Sequence, residues 1–165
     1  MSISLDAIQI RAIQPQDNEQ LAHIIRNTLK EFGANKPGTV YYDPTTDTLL
    51  ELFRIPNAIY YVAEVNQALL GGGGIFPSNG LPEKTCELVK MYLVPEARGM
   101  GLGKLLIEKC LQFAREAGYR HVYIETMPEL KQALKTYEKF GFNYIRHPLG
   151  NTGHTGCDLW MLKEL

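Results

Sequence analysis

The chain has 165 residues, 45% hydrophobic and 21% charged, which is enough for one domain with a real core over residues 1–165 and little more. A formal net charge of −1 gives no electrostatic support for a nucleic-acid or anionic-membrane partner, and no run of about 18 apolar residues offers a membrane span. Cys86, Cys110 and Cys157 are few, far apart and without metal-site spacing. The first residues also lack the basic start and apolar core of a signal peptide. Together these lead to the expectation of a reduced, cytoplasmic protein.

In chain order, Ala7–Ile13 alternates as a first strand. Pro15-Gln16-Asp17 then opens a helix whose Leu21, Ile24, Ile25, Thr28, Leu29 and Phe32 recur at helical spacing until Gly33. Residues 33–44 have no sustained period and read as a loop. Asp43-Pro44-Thr45-Thr46-Asp47 is a start signal for a second helix running to about Phe53. Ile59–Val65 and Ala68–Phe76 read as a hairpin turned at Asn66-Gln67. The four glycines Gly71–Gly74 invite a phosphate-loop reading, but they lead to Ile75-Phe76-Pro77 and not to a helix. A bulged strand with a closely packed neighbour fits better.

Cys86–Leu93 is the next strand. An amphipathic helix follows from about Gly103 to Gly118, then a short strand His121–Thr126, reached by a crossover and therefore parallel to its predecessor. Pro128–Phe140 reads as helix, and Phe142–His147 and Cys157–Leu162 as two final strands around a glycine-rich connection. The order βααβββαβαββ implies one mixed sheet of the α/β (α+β) class.

The organising stretch is Val89 to Leu106, a strand, a proline-broken turn, the loop Arg98-Gly99-Met100-Gly101-Leu102-Gly103, and the first turns of a helix. Three glycines at alternate positions leave backbone N–H groups unshielded where a helix begins, a construction that holds phosphate. The Lys-Ser/Thr ending of a triphosphate loop is missing, and so is the dinucleotide spacing after a first strand.

Arg98, Gly101 and Gly103, preceded by Met-Tyr-Leu-Val-Pro, resemble the Arg/Gln-x-x-Gly-x-Gly/Ala signature of the GNAT superfamily of acyl-CoA-dependent N-acetyltransferases. Ala133–Phe142 is similar to a second block of that family, and the element order matches as well, so the resemblance covers nearly the whole chain. It implies a GNAT fold with strands splayed at the cofactor site, and acetyl-CoA as acyl-donor co-substrate with no metal. It also implies transfer of acetyl to a primary amine of a small molecule or peptide, by direct attack in a ternary complex. The alternative is an inactive GNAT module that binds or senses acyl-CoA, and a homodimer is possible in this fold.

The resemblance places the pyrophosphate at Arg98, Gly99, Met100, Gly101, Leu102, Gly103 and Lys104, and the pantetheine arm along Met91, Tyr92 and Leu93. The Leu93 N–H is then the donor to the thioester oxygen. Tyr137 stands where the family has a tyrosine that protonates the leaving thiolate; the other reading is an aromatic packed in the core. An alkylammonium acceptor must lose a proton, so a base is needed. Glu87 is the first candidate, with a solvent-facing carboxylate paired to Lys84 or Lys90 as the other reading, and Glu125 is the second. Acceptor contacts are expected from Tyr41, Tyr42 and Asp43, and from Glu125 and His154. The trio His154, Cys157 and Asp158 offers too few ligands from one hairpin for a metal, and Cys157 as an acyl-carrying nucleophile is a minor reading.

Overall fold

The computed structural model describes residues 2–165. Its regular elements are β1 (Gln9–Ala12), α1 (Asn18–Glu31), α2 (Leu49–Leu52), β2 (Ile59–Val65), β3 (Ala68–Phe76), β4 (Thr85–Leu93), α3 (Leu102–Glu116), β5 (His121–Thr126), α4 (Lys131–Lys139), β6 (Asn143–Ile145) and β7 (Leu159–Glu164). This is the expected order of helices and strands. The strands form one seven-stranded sheet in the order β1-β2-β3-β4-β5-β7-β6. The β4–β5 pair is parallel, as its helical crossover demands, and the other neighbours are antiparallel.

Strand alternation divides the core. Tyr60 and Val62 face Leu21, Ile25, Leu29 and Leu49 on one side of the sheet. Ile59 and Tyr61 face the other side, where Ile107, Cys110, Leu111 and Ala114 of α3 pack on Val122 and Ile124. Arg11 ties β1 to both its neighbours, with Nη1 at 2.7 Å from Asp17 and Nε at 2.9 Å from Glu64.

The second helix is shorter than expected. Asp43 accepts from Thr45 N at 2.9 Å and caps only a 3₁₀ turn, Pro44–Asp47, after which Thr48 leaves helical geometry at φ −132°. Thr46 Oγ1 donates to Val40 O at 2.9 Å. These threonine and aspartate side chains satisfy the backbone locally, and helix growth loses that competition. A second 3₁₀ turn, Val40–Tyr42, stands in the expected loop.

The glycine run lies inside β3, as its context implied. A Cβ on Gly72 would stand 2.3 Å from Tyr61 O and one on Gly74 2.5 Å from Ile59 O, so only glycine lets β2 approach this closely. The register shifts twice here. Against β2, Gly71 faces Ala63 and Leu69 faces Glu64, leaving Leu70 extra. Against β4, Gly72 faces Tyr92 and Gly74 faces Val89, so Lys90 and Met91 share one position opposite Gly73.

Candidate active site

The parallel β4–β5 ladder is short, running only through Thr85–His121, Cys86–Val122 and Glu87–Tyr123. Beyond Glu87 the two strands part, because β5 continues against β7 while β4 follows β3. The gap is a groove of about 420 Å³, walled by residues 87–93 on one side and 124–127 on the other and floored by Tyr137 and Ile107. Val94 N–H donates to Leu70 O on β3 at 2.8 Å. Successive amides of a strand point to opposite edges, so the Leu93 N–H points into the groove.

The groove ends at the glycine loop. Gly99 and Gly101 have φ of +76° and +91°, and a Cβ on either would meet nothing within 4 Å. Glycine is required there by backbone conformation, and the space above it is open. Gly101 is the N-cap of α3. The amides of residues 99–104 donate to no other backbone group among the described residues, and they stand at the positive end of a 15-residue helix. The loop thus meets the requirements of a pyrophosphate seat.

Arg98 serves the loop in a way its motif position does not reveal. It donates to Leu93 O through Nε at 3.0 Å and Nη2 at 2.9 Å, pairs with Glu31 at 2.9 Å, and lies 5.2 Å over the Phe32 ring. It therefore fastens the end of β4 to the loop and to α1. The side chain of Leu102 is buried in the core beside Leu106, and that of Lys104 is exposed, 3.9 Å from Glu108. What either offers the groove is a backbone amide.

A second cavity, of about 450 Å³, meets the groove at a shared wall of Glu87, Val89, Lys90 and His154. Tyr42 and Asp43 line it. Tyr41 lines neither space, its ring packing 5.0 Å from that of Tyr42 while its carbonyl holds Arg26. Glu87 is 3% exposed and accepts from Ser78 Oγ at 2.6 Å, which rules out the solvent-facing alternative. Burial pushes its pKa up to about 7, with Glu125 adding to the rise and Ser78, His154 and Lys90 opposing it.

Glu125 accepts from Tyr123 Oη at 3.0 Å and from Thr152, and stands 3.7 Å from His154 Nδ1. His154 Nε2 lies 2.8 Å from Asp43 Oδ2. That hydrogen bond, with those from Thr45, holds the Asp43 carboxyl well below the usual carboxylate range. Asp43, His154 and Glu125 thus form a chain leading to Glu87. Glu87, Glu125 and His154 offer ligand atoms within 4.8 Å of one another, a set that a divalent cation could use. Each is already engaged by a protein partner, Ser78, Tyr123 or Asp43. The trio expected least, His154 with Cys157 and Asp158, is not the one the fold assembles.

Tyr137 is buried with its ring 6.0 Å from Phe142, yet it lines the groove and its hydroxyl has no hydrogen-bond partner among the described residues. Packing and site exposure coexist. Burial raises its pKa well above a phenol's ordinary value. Burial also pushes the Cys157 thiol up to about 12, leaving almost no thiolate at neutral pH for nucleophilic use. Ser78, Lys90 and Thr152 were not singled out by spacing. Only Lys90 had a signal, as the second charge, with Glu87, in a strand of mostly apolar residues.

Residues 22–142 match the acetyltransferase (GNAT) family. The chain is 42% identical over 158 residues to YjgM, an uncharacterized N-acetyltransferase of Escherichia coli (strain K12), with 94% of each covered. An acetyltransferase of the GNAT family from Staphylococcus aureus Mu50 has the same fold, with TM-score 0.84 at 20% identity over 96% of this chain and 99% of that one. PaiA N-acetyltransferase from Thermoplasma acidophilum, solved in complex with coenzyme A, gives TM-score 0.74 at 20% identity, with 96% and 99% covered. With the splayed strands, the amide-lined loop and this match from α1 through α4 in hand, the chain belongs to the acetyltransferase (GNAT) family.

Proposed function

We propose that the protein transfers acetyl from acetyl-CoA to a primary amine, by direct attack while both substrates are bound. The observation that carries the reading is the junction of the two spaces. A groove ending in free helix-terminal amides opens, across Glu87, Val89, Lys90 and His154, into a separate cavity of small-molecule size. A donor in the groove and an acceptor in the cavity would meet at Glu87.

In this reading the amides of residues 99–104 hold the pyrophosphate, and the open backbone edge of Met91 to Leu93 holds the peptide-like pantetheine arm. Glu87 takes the proton from the acceptor ammonium, directly or through water. A carboxyl with pKa about 7 is poised for this at neutral pH, while Glu125 and the Asp43–His154 pair supply the surrounding charge. The amine nitrogen then bonds to the thioester carbon, Leu93 N–H stabilises the charge growing on the carbonyl oxygen, the C–S bond breaks, and the nitrogen's second proton passes to the departing thiolate or to water.

Tyr137 donates a hydrogen bond to the departing sulfur. Its pKa lies above that of a thiol, so complete proton transfer is uphill. Stabilisation of the thiolate is the larger part of its role. Release of free thiol from acetyl-CoA against a panel of amines, with calorimetric titration of acetyl-CoA, tests the reading. Tight binding without thiol release from any amine would make the protein a binding module instead.

A further inference from the structure

Lys90 is the residue of the shared wall that the transfer chemistry does not use. Its side chain is 3% exposed, and its ammonium makes no hydrogen bond among the described residues. The nearest acidic atom, Asp43 Oδ2, lies at 3.8 Å. That carboxylate is already occupied, Oδ1 by Thr45 N and Oγ1 at 2.9 and 2.7 Å and Oδ2 by His154 at 2.8 Å. A largely buried side chain whose ammonium has one ion-pair partner, 3.8 Å away, keeps donors free toward the cavity it lines.

The backbone is bent to produce it. Leu88 and Met91 pack on the α3 side of the sheet, and Val89 and Tyr92 on the α1 side. Strict alternation would therefore place Lys90 beneath α3. As the extra residue of the bulge, at φ +53°, it joins Glu87 and Val89 on the face that lines the cavity. Tyr60 Oη, itself buried, donates to Lys90 O at 2.8 Å and holds the bend.

We propose that the acceptor is an amino acid with a free carboxylate, which Lys90 binds while the amine is directed to Glu87; this rests on the acetyl-transfer reading above. Glu87 and Lys90 sit three positions apart on one strand face, each within the other's electrostatic reach. A base and a cation so placed match a molecule whose amine and carboxylate share one carbon. The anion is a carboxylate and not a phosphate, because a single ammonium stands among Glu87, Glu125 and Asp43. A dianion would meet more repulsion than attraction there. Asn79 and Asn151 line the same cavity with neutral amides able to complete the contact.

The test is thiol release by the full chain from acetyl-CoA, with the twenty L-amino acids, their α-carboxamides and the corresponding decarboxylated amines as acceptors. For at least one side chain, kcat/KM for the amino acid should exceed that for both analogues by about 10- to 100-fold, the range of a charge-assisted hydrogen bond at a buried site. The carboxamide's amine has the lower pKa and is more often neutral, so intrinsic reactivity runs against this preference. In Lys90→Met the preference should vanish while KM for acetyl-CoA stays within about twofold. Equal or better use of the amides and amines by the unaltered protein would overturn the inference and leave acetyl transfer standing, and this arm needs no variant to fold. Preference retained in a folded Lys90→Met would also overturn it. Acetyl-CoA binding without thiol release from any acceptor would overturn the acetyl-transfer reading, and this inference with it.

Discussion

Replacing Glu87 by glutamine should make the protein more stable at neutral pH and much less active. Gln keeps the oxygen that accepts from Ser78 at 2.6 Å and fits the same volume, so the change removes only ionisation. In the folded state burial moves this carboxyl's pKa from 4.5 to about 7, whereas the unfolded chain keeps the ordinary value. Below pH 4.5 the group is protonated in both states and costs nothing. Between 4.5 and 7 the folded state binds the extra proton, so stability falls as pH rises. Above 7 the folded state carries a buried charge costing about 3 kcal/mol, from about 1.4 kcal/mol for each tenfold change in proton affinity. Exposure of 3% leaves little solvent screening to discount this.

Urea unfolding of both proteins at pH 5 and pH 8 reads the effect directly. The variant should gain up to about 3 kcal/mol relative to the parent between the two pH values, or roughly 6–12 °C in Tm for a chain of this size. Over the same range the parent's kcat/KM for the acceptor should rise through an apparent pKa near 7. The variant should lose that limb together with about 10²–10⁴ in rate. A stability difference that is the same at both pH values would mean that Glu87 ionises normally in the folded protein, and the argument from burial to base would fail with it.

Tyr137→Phe should lower kcat by about 10- to 100-fold with little change in KM, the worth of one hydrogen bond to a charged sulfur; unchanged kcat would assign Tyr137 to packing against Phe142 alone. Gly101→Ala places a side chain at φ +91° with nothing nearby to clash. It should cost about 1–2 kcal/mol of backbone strain in thermal unfolding and raise KM for acetyl-CoA more than KM for the amine. Dialysis against EDTA should leave kcat unaltered, because in the proposed reading Glu87, Glu125 and His154 act through hydrogen bonds and proton transfer. Activity lost to EDTA and restored by added zinc would instead make the trio of ligand atoms within 4.8 Å a metal centre.

What was legible in the sequence was what is encoded locally. The loop from Arg98 to Gly103 carries its own geometry, since left-handed conformations at Gly99 and Gly101 and a following amphipathic helix can be read from adjacent letters. Asn66 and Gln67 take positive φ at the hairpin turn, where a two-residue connection between two apolar strand-like runs put them. The helix expected from Asp43 to Phe53 starts only at Leu49 because capping residues also serve turns. With three threonines following, the side chains found backbone partners before a second helical turn could form.

The wall shared by the two spaces was less legible because its members are brought together by the fold and not by the chain. Asp43 and His154 are 111 positions apart, and nothing near either announces the other. Glu87 was ambiguous for a simpler reason. Cys86-Glu87-Leu88 alternates like a half-exposed strand, and only the helices on both faces make the odd-numbered side a buried one.

Lys90 shows how a local irregularity carries function that pattern reading discards. The glycine run was recognisable as the place where a strand bulges, but the extra residue facing Gly73 belongs to the partner strand, β4. A Cβ on Gly73 would stand 2.2 Å from the Met91 side chain, so the missing side chain on β3 leaves room for Met91 as the alternation resets at Lys90. The glycines and the misplaced lysine are thus two halves of one device. The run that resembles a phosphate loop shapes the wall of the second cavity, and the loop with free helix-terminal amides lies one strand later. A sequence pattern identifies the donor because phosphate is bound by consecutive amides. On the proposed reading the acceptor meets side chains aimed from β4 and two distant loops, and one inserted residue in β4 decides which way the cation points.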